Sequence, residues 1–319
     1  MSTATIHADA SEQKRAASRA SRLRRAENIL GWLLASPFLV GFTVFTAGPM
    51  LVSLVLSFTE WNLLSTPKFI ALENYREMLF QDPLVGHTLQ VTLYFALGSI
   101  PLHIILGLAI AMLLNASVKG LSLFRTIYYL PAVLSGVAVA MLWRWIFSPD
   151  FGLLNAGLSV IGIDGPNWLM SRQWVIPSFI LMSLWGVGGS MVIYLASLQG
   201  IPSVLYEAAT IDGAGWWKRT WHITLPMMSP VILFQLIIGI IGAFRFFEAA
   251  YIMTNGGPAN ASLFFMLYLY RQAFQYFNMG YASALAWLLF FIVLLLSLSV
   301  LRSSPAWVYY ETELKGREG

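Results

Sequence analysis

Six long stretches of predominantly apolar residues run through the sequence, and they constrain the fold more than any other feature. They span residues 29–58, 85–114, 127–147, 174–198, 230–253 and 281–301. A helix needs about 20 apolar residues to cross a bilayer, and the bilayer core contains no water that could pair an open backbone. The pattern therefore predicts an all-α polytopic membrane protein with six transmembrane helices.

The composition excludes several other classes of protein. Of the 319 residues, 11% are charged and 58% are hydrophobic, whereas about a quarter of a soluble domain is charged. The chain has no cysteine, which excludes disulfide frameworks and thiolate metal sites. Its net charge of +4 comes from residues near the span ends rather than from a basic stripe, so we expect no nucleic-acid partner.

Lysine and arginine are distributed unevenly between the two sides of the predicted spans. Positive residues close to span ends are retained in the cytoplasm. The two termini and the even-numbered loops carry most of them: Lys14, Arg15, Arg19, Arg22, Arg24, Arg25, Lys119, Arg125, Lys218, Arg219, Arg302, Lys315 and Arg317. The opposite side carries Lys68, Arg76, Arg172 and Arg271. Both termini are therefore predicted to be cytoplasmic.

This topology divides the chain into three parts. Residues 1–28, rich in alanine, serine and arginine, are predicted to form a disordered cytoplasmic arm. A cleaved signal peptide is disfavoured because the first span is too long for its apolar core. Residues 29–301 form the transmembrane domain with a cytoplasmic loop at 201–228, and residues 302–319 form a cytoplasmic tail.

Motifs for catalysis are missing from the sequence. It has no G-x-x-x-x-G-K-[ST] loop for a nucleotide. The histidines lack the spacing of metal ligands: His7, His87, His103 and His222. We therefore predict no catalytic residue, no metal and no cofactor, so the chain is not an enzyme, and any energy for transport must come from a partner.

The loop at 201–228 has an architecture of its own. A first helix is expected with Glu207 in its first turn, and Gly213 and Gly215 should end that helix. A second helix would present apolar residues at helical spacing before a proline ends it: Trp217, Trp221, Leu225 and Pro226. Such a helix pair fits either the groove of a partner protein or the lipid headgroup surface, and the residues alone favour neither.

The same loop resembles the signature of the membrane-spanning subunits of binding-protein-dependent ABC importers, E-A-A-x-x-D-G-A followed by I-x-L-P. In that family the loop is the coupling helix, which sits in a cleft of a cytoplasmic ATPase. The resemblance implies that the following residues couple this chain to an ATPase: Glu207, Ala208, Ala209, Asp212, Gly213, Ala214, Leu225 and Pro226.

Other segments narrow the resemblance to carbohydrate-uptake permeases of the maltose, lactose and glycerol-phosphate type. They include Asn74-Tyr75, Gly152-Leu153-Leu154-Asn155 and Thr254-Asn255-Gly256-Gly257-Pro258, the last being similar to the first of two paired permeases. The resemblance implies a second, similar permease subunit, a dimer of cytoplasmic ABC ATPases, an external solute-binding protein and a sugar-like substrate. It also implies the inner membrane of a bacterial-type cell.

One face of the fifth span carries residues suited to a substrate pathway. Sugars bind to flat aromatic faces and polar groups. Residues of these kinds share one helical face: Phe244, Phe247, Glu248 and Tyr251. They are expected either to line the pathway, together with Arg245, or to fix helix packing through an Arg245–Glu248 ion pair. In the resembling family the spans on both sides of the coupling loop line the pathway, which adds Trp185 and Gly186.

The predicted function is that of an ABC importer permease, which forms half of the pathway for a sugar or sugar-like solute. An importer of a polyol or glycerol phosphate fits the same residues. An ion-coupled secondary transporter would need a set of ion-coupling carboxylates in its spans, where Glu248 stands alone, and inverted repeats, which the sequence does not show. A scaffold or sensor without transport activity would leave the loop signature unexplained.

Overall fold

The structure, a computed structural model, describes residues 27–116 and 120–309. The predicted disordered arm and the predicted tail therefore lie largely outside the described residues. The chain divides after Leu56 into two compact units.

Helix α1, Glu27–Leu56, makes up the described part of the first unit. Its 30 residues extend for about 45 Å at 1.5 Å per residue, which is enough to cross a bilayer. None of its residues is buried. A π-helical turn, Thr43–Ala47, comes just before Pro49, which has no backbone N–H to donate. The first predicted span is thus confirmed as one apolar helix.

The second unit opens with three short elements: strand β1 (Thr59–Glu60), strand β2 (Lys68–Phe69) and helix α2 (Glu73–Phe80). The two strands form an antiparallel hairpin. Helix α3, Pro83–Leu114, follows and matches the second predicted span. The Asp82 carboxylate caps α3 by accepting the Leu84 N–H at 2.9 Å. A proline at the first helical position, where no N–H is needed, also favours this start.

The third and fourth predicted spans each consist of two helices that meet at a bend. The elements of this region are α4 (Leu121–Val133), α5 (Gly136–Ile146), α6 (Leu153–Val160), α7 (Val175–Leu184) and α8 (Gly188–Gln199). Helices α4 and α5 meet at 100°, and α7 and α8 meet at 45°. The spans predicted at 127–147 and 174–198 therefore each correspond to a pair of helices and not to one.

Backbone geometry explains the bend between α4 and α5. Leu134 and Ser135 adopt extended conformations, so α4 ends and α5 restarts in a new direction. At the second bend, a Cβ atom on Gly188 would lie 2.0 Å from the carbonyl oxygen of Tyr128 in α4. A glycine is required for that close approach. Counting each bent pair as one span, these two and the four further candidate spans among the described residues give the predicted six.

The remaining elements follow the fourth span. They are α9 (Ser203–Ile211), α10 (Trp216–Arg219), a π-helical turn (Thr220–Thr224), α11 (Leu225–Phe244), α12 (Glu248–Met253), α13 (Phe265–Tyr270), a further π-helical turn (Arg271–Gln275), α14 (Met279–Ser303) and a 3₁₀ turn (Ser304–Ala306). The sixth predicted span lies within α14. The side of the membrane on which the termini lie stays a prediction.

Aromatic rings hold the larger core of the second unit together. Phe95 on α3 contacts Phe246 with ring centroids 4.4 Å apart, and Phe179 on α7 contacts Phe264 at 5.7 Å. Such pairs stabilise a core beyond the area that they bury. A smaller cluster around the buried Tyr194 packs α3 against α8 and α11.

Candidate functional site

A cavity of about 500 Å³ lies among the spans of the second unit, and we call it the span cavity. Helices α3, α7, α8 and α11 supply most of its wall. The wall is largely apolar, with six polar side chains: Ser99, His103, Ser183, Ser190, Tyr194 and Gln235. A mostly apolar cavity of this size with a few polar groups is typical of small-molecule sites.

Glycines of α11 shape one side of the span cavity. A Cβ atom on Gly239 would lie 3.2 Å from Cγ2 of Ile100, so this glycine allows α11 to approach α3. A Cβ atom on Gly242 would meet nothing within 4 Å. The open space at Gly242 is therefore part of the cavity, and a larger side chain would fill it.

The polar side chains of the span cavity differ in how they are paired. Ser183 donates to the Ile180 carbonyl at 2.7 Å, and Ser190 donates to the Val187 carbonyl at 2.9 Å. Tyr194 is 0% exposed, and its hydroxyl has no hydrogen-bond partner among the described residues. The serines are thus satisfied within their own helices, whereas the tyrosine hydroxyl is not.

The predicted pathway face of the fifth span is interrupted. Helix α11 ends at Phe244, and α12 begins only at Glu248, so the residues between them are not helical. Phe244 is 4% exposed and belongs to the core. Phe247 stacks on Tyr251 with ring centroids 5.5 Å apart, and Arg245 is exposed. The expected single helical face is therefore wrong, because the chain changes direction within it.

The ion pair between Arg245 and Glu248, one of the two alternatives for these residues, is not formed. Within the described ranges the one ion pair joins Arg76 to Glu73. The Glu248 carboxylate instead lies against the start of α5, where a Cβ atom on Gly136 would be 2.0 Å from Oε2. The partial positive charge of a helix N-terminus favours an acidic group at this position.

Trp185 and Gly186 lie in the bend between α7 and α8. The Trp185 ring meets Trp143 edge to face, with centroids 6.0 Å apart. Neither residue lines the span cavity, and neither do the five predicted pathway residues of the fifth span. Their contact with a solute in an assembled transporter stays a prediction.

A second cavity, of about 980 Å³, lies beside the β1–β2 hairpin, and we call it the hairpin cavity. Residues from the hairpin, α2, α13 and α14 line it. Most of its lining is polar, and the amide of Asn74 donates to the carbonyl oxygens of Ser57 and Thr59, each at 2.9 Å. These hydrogen bonds connect α2 to the chain at the start of the hairpin.

Asp82 is the centre of the hydrogen-bond network in the hairpin cavity. The hydroxyls of Tyr268 and Tyr281 both donate to its Oδ2 atom, while Oδ1 caps α3. Gln272 donates to the Tyr268 hydroxyl at 2.7 Å. Burial, followed by the hydrogen bond to Asp82, raises the pKa of Tyr268 above its usual value, which keeps this phenol protonated as a donor.

The predicted coupling loop forms a helix, a turn and a second helix. Helix α9 contains Glu207, Ala208 and Ala209, and Asp212 follows its last residue. Gly213 has a φ of +72°, and the Ala214 N–H donates to the Ala209 carbonyl at 2.8 Å. A left-handed residue after a helix is the common position for glycine. The prediction that Gly213 ends the first helix is therefore confirmed.

Two details of the loop differ from the sequence-based expectation. Glu207 lies inside α9, which begins at Ser203, and not in its first turn. Pro226 does not end the second helix, because the π-helical turn leads directly into α11. A wide turn just before Pro226 relieves the clash that a proline causes in an α-helix. The loop is thus rigidly continuous with the fifth span.

Apolar side chains of the loop are uncovered. Ile211 is 88% exposed, and Trp217 and Trp221 are 68% and 63% exposed. The two helices stay together through the Tyr206 hydroxyl, which lies 3.0 Å from Oγ1 of Thr224. Exposed apolar patches with a fixed shape are typical of surfaces that bind a partner.

Comparison with known proteins identifies the family. The family of binding-protein-dependent transport system inner membrane components matches residues 103–304. This chain belongs to that family. The YesP protein of Bacillus subtilis, a probable ABC transporter permease, is 43% identical over 93% of this chain and 97% of its own length. The lactose transport system permease LacF of Rhizobium radiobacter is 37% identical over 87% and 94% of the two chains.

The fold is also similar to that of a solved ABC transporter structure. It is a chain of a bacterial ABC transporter involved in the import of the acidic polysaccharide alginate, with a TM-score of 0.77 and 25% identity. The match covers 88% of this chain and 96% of that one. The present chain is thus a multi-pass membrane permease of the ABC importer type, and a transport subunit rather than an enzyme.

In this permease the span cavity is lined by residues of the fourth and fifth spans other than those predicted for the pathway. Helix α3 contributes to the cavity as well. Polar residues inside apolar spans usually face a cavity or a partner. Applied to every span, that signal would have found His103 and Gln235, which line the cavity.

Proposed function

We propose that this permease forms one half of the pathway of an ABC importer for a sugar or oligosaccharide. A second, similar permease would supply the other half, and an external solute-binding protein would deliver the solute. A pair of ATPases would bind the loop at 201–228 on the cytoplasmic side of a bacterial-type inner membrane, where both termini lie. The substrates of the lactose permease and of the alginate importer support the class of solute.

The observation that carries this proposal is the span cavity. Phe95 and Phe246 provide aromatic rings in its wall, and polar groups come from four different helices. Sugars use both, because their C–H faces pack on rings and their hydroxyls need hydrogen bonds. A cavity lined mainly by residues of the spans, and not by surface loops, suits a solute in transit across the membrane.

The loop geometry explains how an ATPase would act on this cavity. Helix α10, the π-helical turn and α11 form one continuous run that extends from Trp216 past Gln235 and Gly242 in the cavity wall. A movement of α9 and its turn would therefore be transmitted along α11. The bends between α4 and α5 and between α7 and α8 provide places where the wall can change shape.

Filling the cavity tests the proposal. In proteoliposomes that contain the complete transporter, we expect Gly242→Leu to lower the uptake of radiolabelled lactose or maltose at least about tenfold, because leucine would occupy the open space. Gly157→Leu is the matched control, since Gly157 on α6 also has nothing within 4 Å of a Cβ atom and lies outside the cavity. Normal uptake by Gly242→Leu, or no sugar uptake by the wild type, would overturn the proposal.

The turn after α9 offers a separate test of coupling. Gly213 has a φ of +72° and Gly215 a φ of −69°, and neither has an atom within 4 Å of a Cβ position. Valine at Gly213 is expected to disturb the turn by roughly 1–2 kcal/mol or more, because L-residues disfavour that conformation. We expect Gly213→Val to abolish ATP-driven uptake with unchanged membrane insertion, and Gly215→Val to retain it. Equal uptake by both variants would contradict the coupling assignment.

A further inference from the structure

Ser229 lies near the start of α11, next to a proline inside the helix. Pro230 has no backbone N–H, so the carbonyl oxygen of Pro226, four residues earlier, lacks its regular helical donor. The Ser229 hydroxyl donates to this carbonyl instead, at 2.6 Å. This turn of α11 therefore depends on a side-chain hydroxyl and not on the backbone alone.

The same hydroxyl also accepts a hydrogen bond from the chain that follows the sixth span. Helix α14 ends at Ser303, and after the 3₁₀ turn the Tyr309 N–H donates to Oγ of Ser229 at 2.8 Å. Ser229 is 5% exposed, and Val308 beside the donor is 7% exposed. A serine hydroxyl has one donor and two acceptor sites, so it can make both bonds at once. One buried oxygen therefore connects the fifth span to the sixth.

The opposite end of α14 is fixed to the network of the hairpin cavity. The Met279 N–H donates to the Trp61 carbonyl at 2.9 Å, and the Tyr281 hydroxyl donates to Asp82. Between its two ends α14 packs against α11. Because α14 is held at both ends, it provides a fixed support beside α11.

Ser229 lies midway between the predicted coupling loop and the far end of the span cavity. Trp216, where α10 begins, comes 13 residues before Ser229, and Gly242 in the cavity wall comes 13 residues after it. At 1.5 Å per residue, each of these two arms is about 20 Å long. A continuous helix that is held at its middle turns when one end is displaced, so its two ends move in opposite directions. A helix that is not held there shifts as a whole.

We propose that Ser229 is a positioning residue for coupling. Its hydroxyl keeps α11 continuous across Pro230 and ties α11 to α14, so that α11 turns about this point when the loop moves. A displacement of α9 and α10 then reaches the cavity wall as an opposite displacement at Gly242. Ser229 does not line the span cavity, so it acts through α11. This inference rests on the proposed function, because it takes the loop to be the part that an ATPase moves.

Labelling of the cavity wall tests the proposal. The chain has no cysteine, so a cysteine at Gly242 reports on the wall through its reaction with a small thiol reagent. In proteoliposomes that contain the complete transporter, we expect ATP to change the labelling rate of Gly242→Cys. Adding Ser229→Ala should reduce this ATP response at least about twofold, the lower end of what one hydrogen bond contributes to an equilibrium.

Two further variants control for the substitution itself. Ser229→Thr keeps a hydroxyl at the same position and should restore the ATP response. Ser299→Ala on α14 removes a hydroxyl that donates to the Leu295 carbonyl of its own helix at 2.7 Å, and it should change nothing.

Variants of Tyr309 remove the same hydrogen bond from the other side. Tyr309→Pro and Tyr309→Ala both remove the ring, but only proline also removes the N–H that donates to Ser229. We expect Tyr309→Pro to lower the ATP response as Ser229→Ala does, and Tyr309→Ala to leave it unchanged. The amount of lactose or maltose taken up per ATP hydrolysed should follow the same order. A merely structural role would lower the thermal unfolding temperature and leave the ATP response of the assembled transporter unchanged.

The outcomes separate this inference from the proposed function. An unchanged ATP response in Ser229→Ala, or equal responses in the two Tyr309 variants, would overturn the role of Ser229 and leave the importer standing. If Gly242→Cys shows no ATP response in the otherwise unaltered transporter, the turning of α11 is overturned, and Gly213→Val then decides whether the coupling assignment fails too. If labelling responds as expected but no sugar is taken up, the proposed substrate class fails and the role of Ser229 stands.

Discussion

The span cavity and the hairpin cavity belong to the same compact unit, but they differ in how the polar side chains of their linings are hydrogen-bonded. In the hairpin cavity the carboxylate of Asp82 accepts two tyrosine hydroxyls and also caps a helix. In the span cavity the hydroxyl of Tyr194 is left without a partner among the described residues. The polar groups of the larger cavity therefore hold the scaffold together, whereas the smaller cavity has a tyrosine hydroxyl without a hydrogen bond among the described residues.

This difference shows why cavity volume alone is a poor guide to function. The hairpin cavity is larger, at about 980 Å³ against about 500 Å³. Its hydrogen bonds, however, connect the hairpin, α3, α13 and α14 to each other. A polar group that already has good partners gains little from a ligand, whereas an unpaired one gains a full hydrogen bond.

The largest expected effect comes from placing the same small side chain in both cavities. A Cβ atom on Gly280 in the hairpin cavity would lie 1.8 Å from the Thr59 carbonyl oxygen, which is backbone and cannot move aside. We expect Gly280→Ala to lower the free energy of unfolding by about 3 kcal/mol or more. Gly242→Ala should change it by less than about 0.5 kcal/mol, because its Cβ would enter open space. Thermal or denaturant unfolding of the purified transporter measures both, and equal losses would break the comparison.

The next effect concerns the acid that organises the hairpin cavity. We expect Asp82→Ala to cost about 2–4 kcal/mol of stability, because two tyrosine hydroxyls and the first turn of α3 lose their acceptor. Glu77→Ala is the control, since this exposed carboxylate lines the same cavity and accepts no hydrogen bond that holds the scaffold. Denaturant unfolding checks the pair. If Glu77→Ala loses as much stability as Asp82→Ala, the loss comes from removing a negative charge from the cavity and not from removing the acceptor of the hydrogen-bond network.

The smallest effect compares one chemical change in the two cavities. Tyr281→Phe removes a hydroxyl that donates to Asp82, so we expect a loss of about 1 kcal/mol in the free energy of unfolding. Tyr194→Phe removes an unpaired hydroxyl and should leave stability unchanged or slightly higher. Side-by-side melting curves provide the measurement. If Tyr194→Phe is less stable than Tyr281→Phe, the contrast between a paired hydroxyl in the hairpin cavity and an unpaired one in the span cavity is wrong.

The spans themselves were predictable because each depends on local composition. A run of about 20 apolar residues must cross the membrane as a helix whatever lies beside it. The 100° and 45° bends were not predictable, since they depend on contacts between spans. Gly188 shows this clearly, because its role as a crossing point is set by the backbone of Tyr128, 60 residues earlier in the sequence.

The candidate sites also differ in whether local sequence signals could predict them. The loop from Ser203 to Thr224 could be predicted in outline, because Gly213 and the spacing of the apolar residues are local signals. The pathway residues of the fifth span could not, because helical spacing holds only while the helix continues. The break after Phe244 sends Phe247 and Tyr251 away from the face that periodicity assigned to them.

The sequence by itself determined that this protein is a six-span helical membrane permease with a structured loop between its fourth and fifth spans. Apolar length, charge distribution and glycine positions are properties of neighbouring residues, and they act in the same way in any fold. The tertiary structure alone decided which polar groups are satisfied. Asp82 and Tyr281 are 199 residues apart and form a pair, whereas none of the described residues forms a hydrogen bond with the Tyr194 hydroxyl.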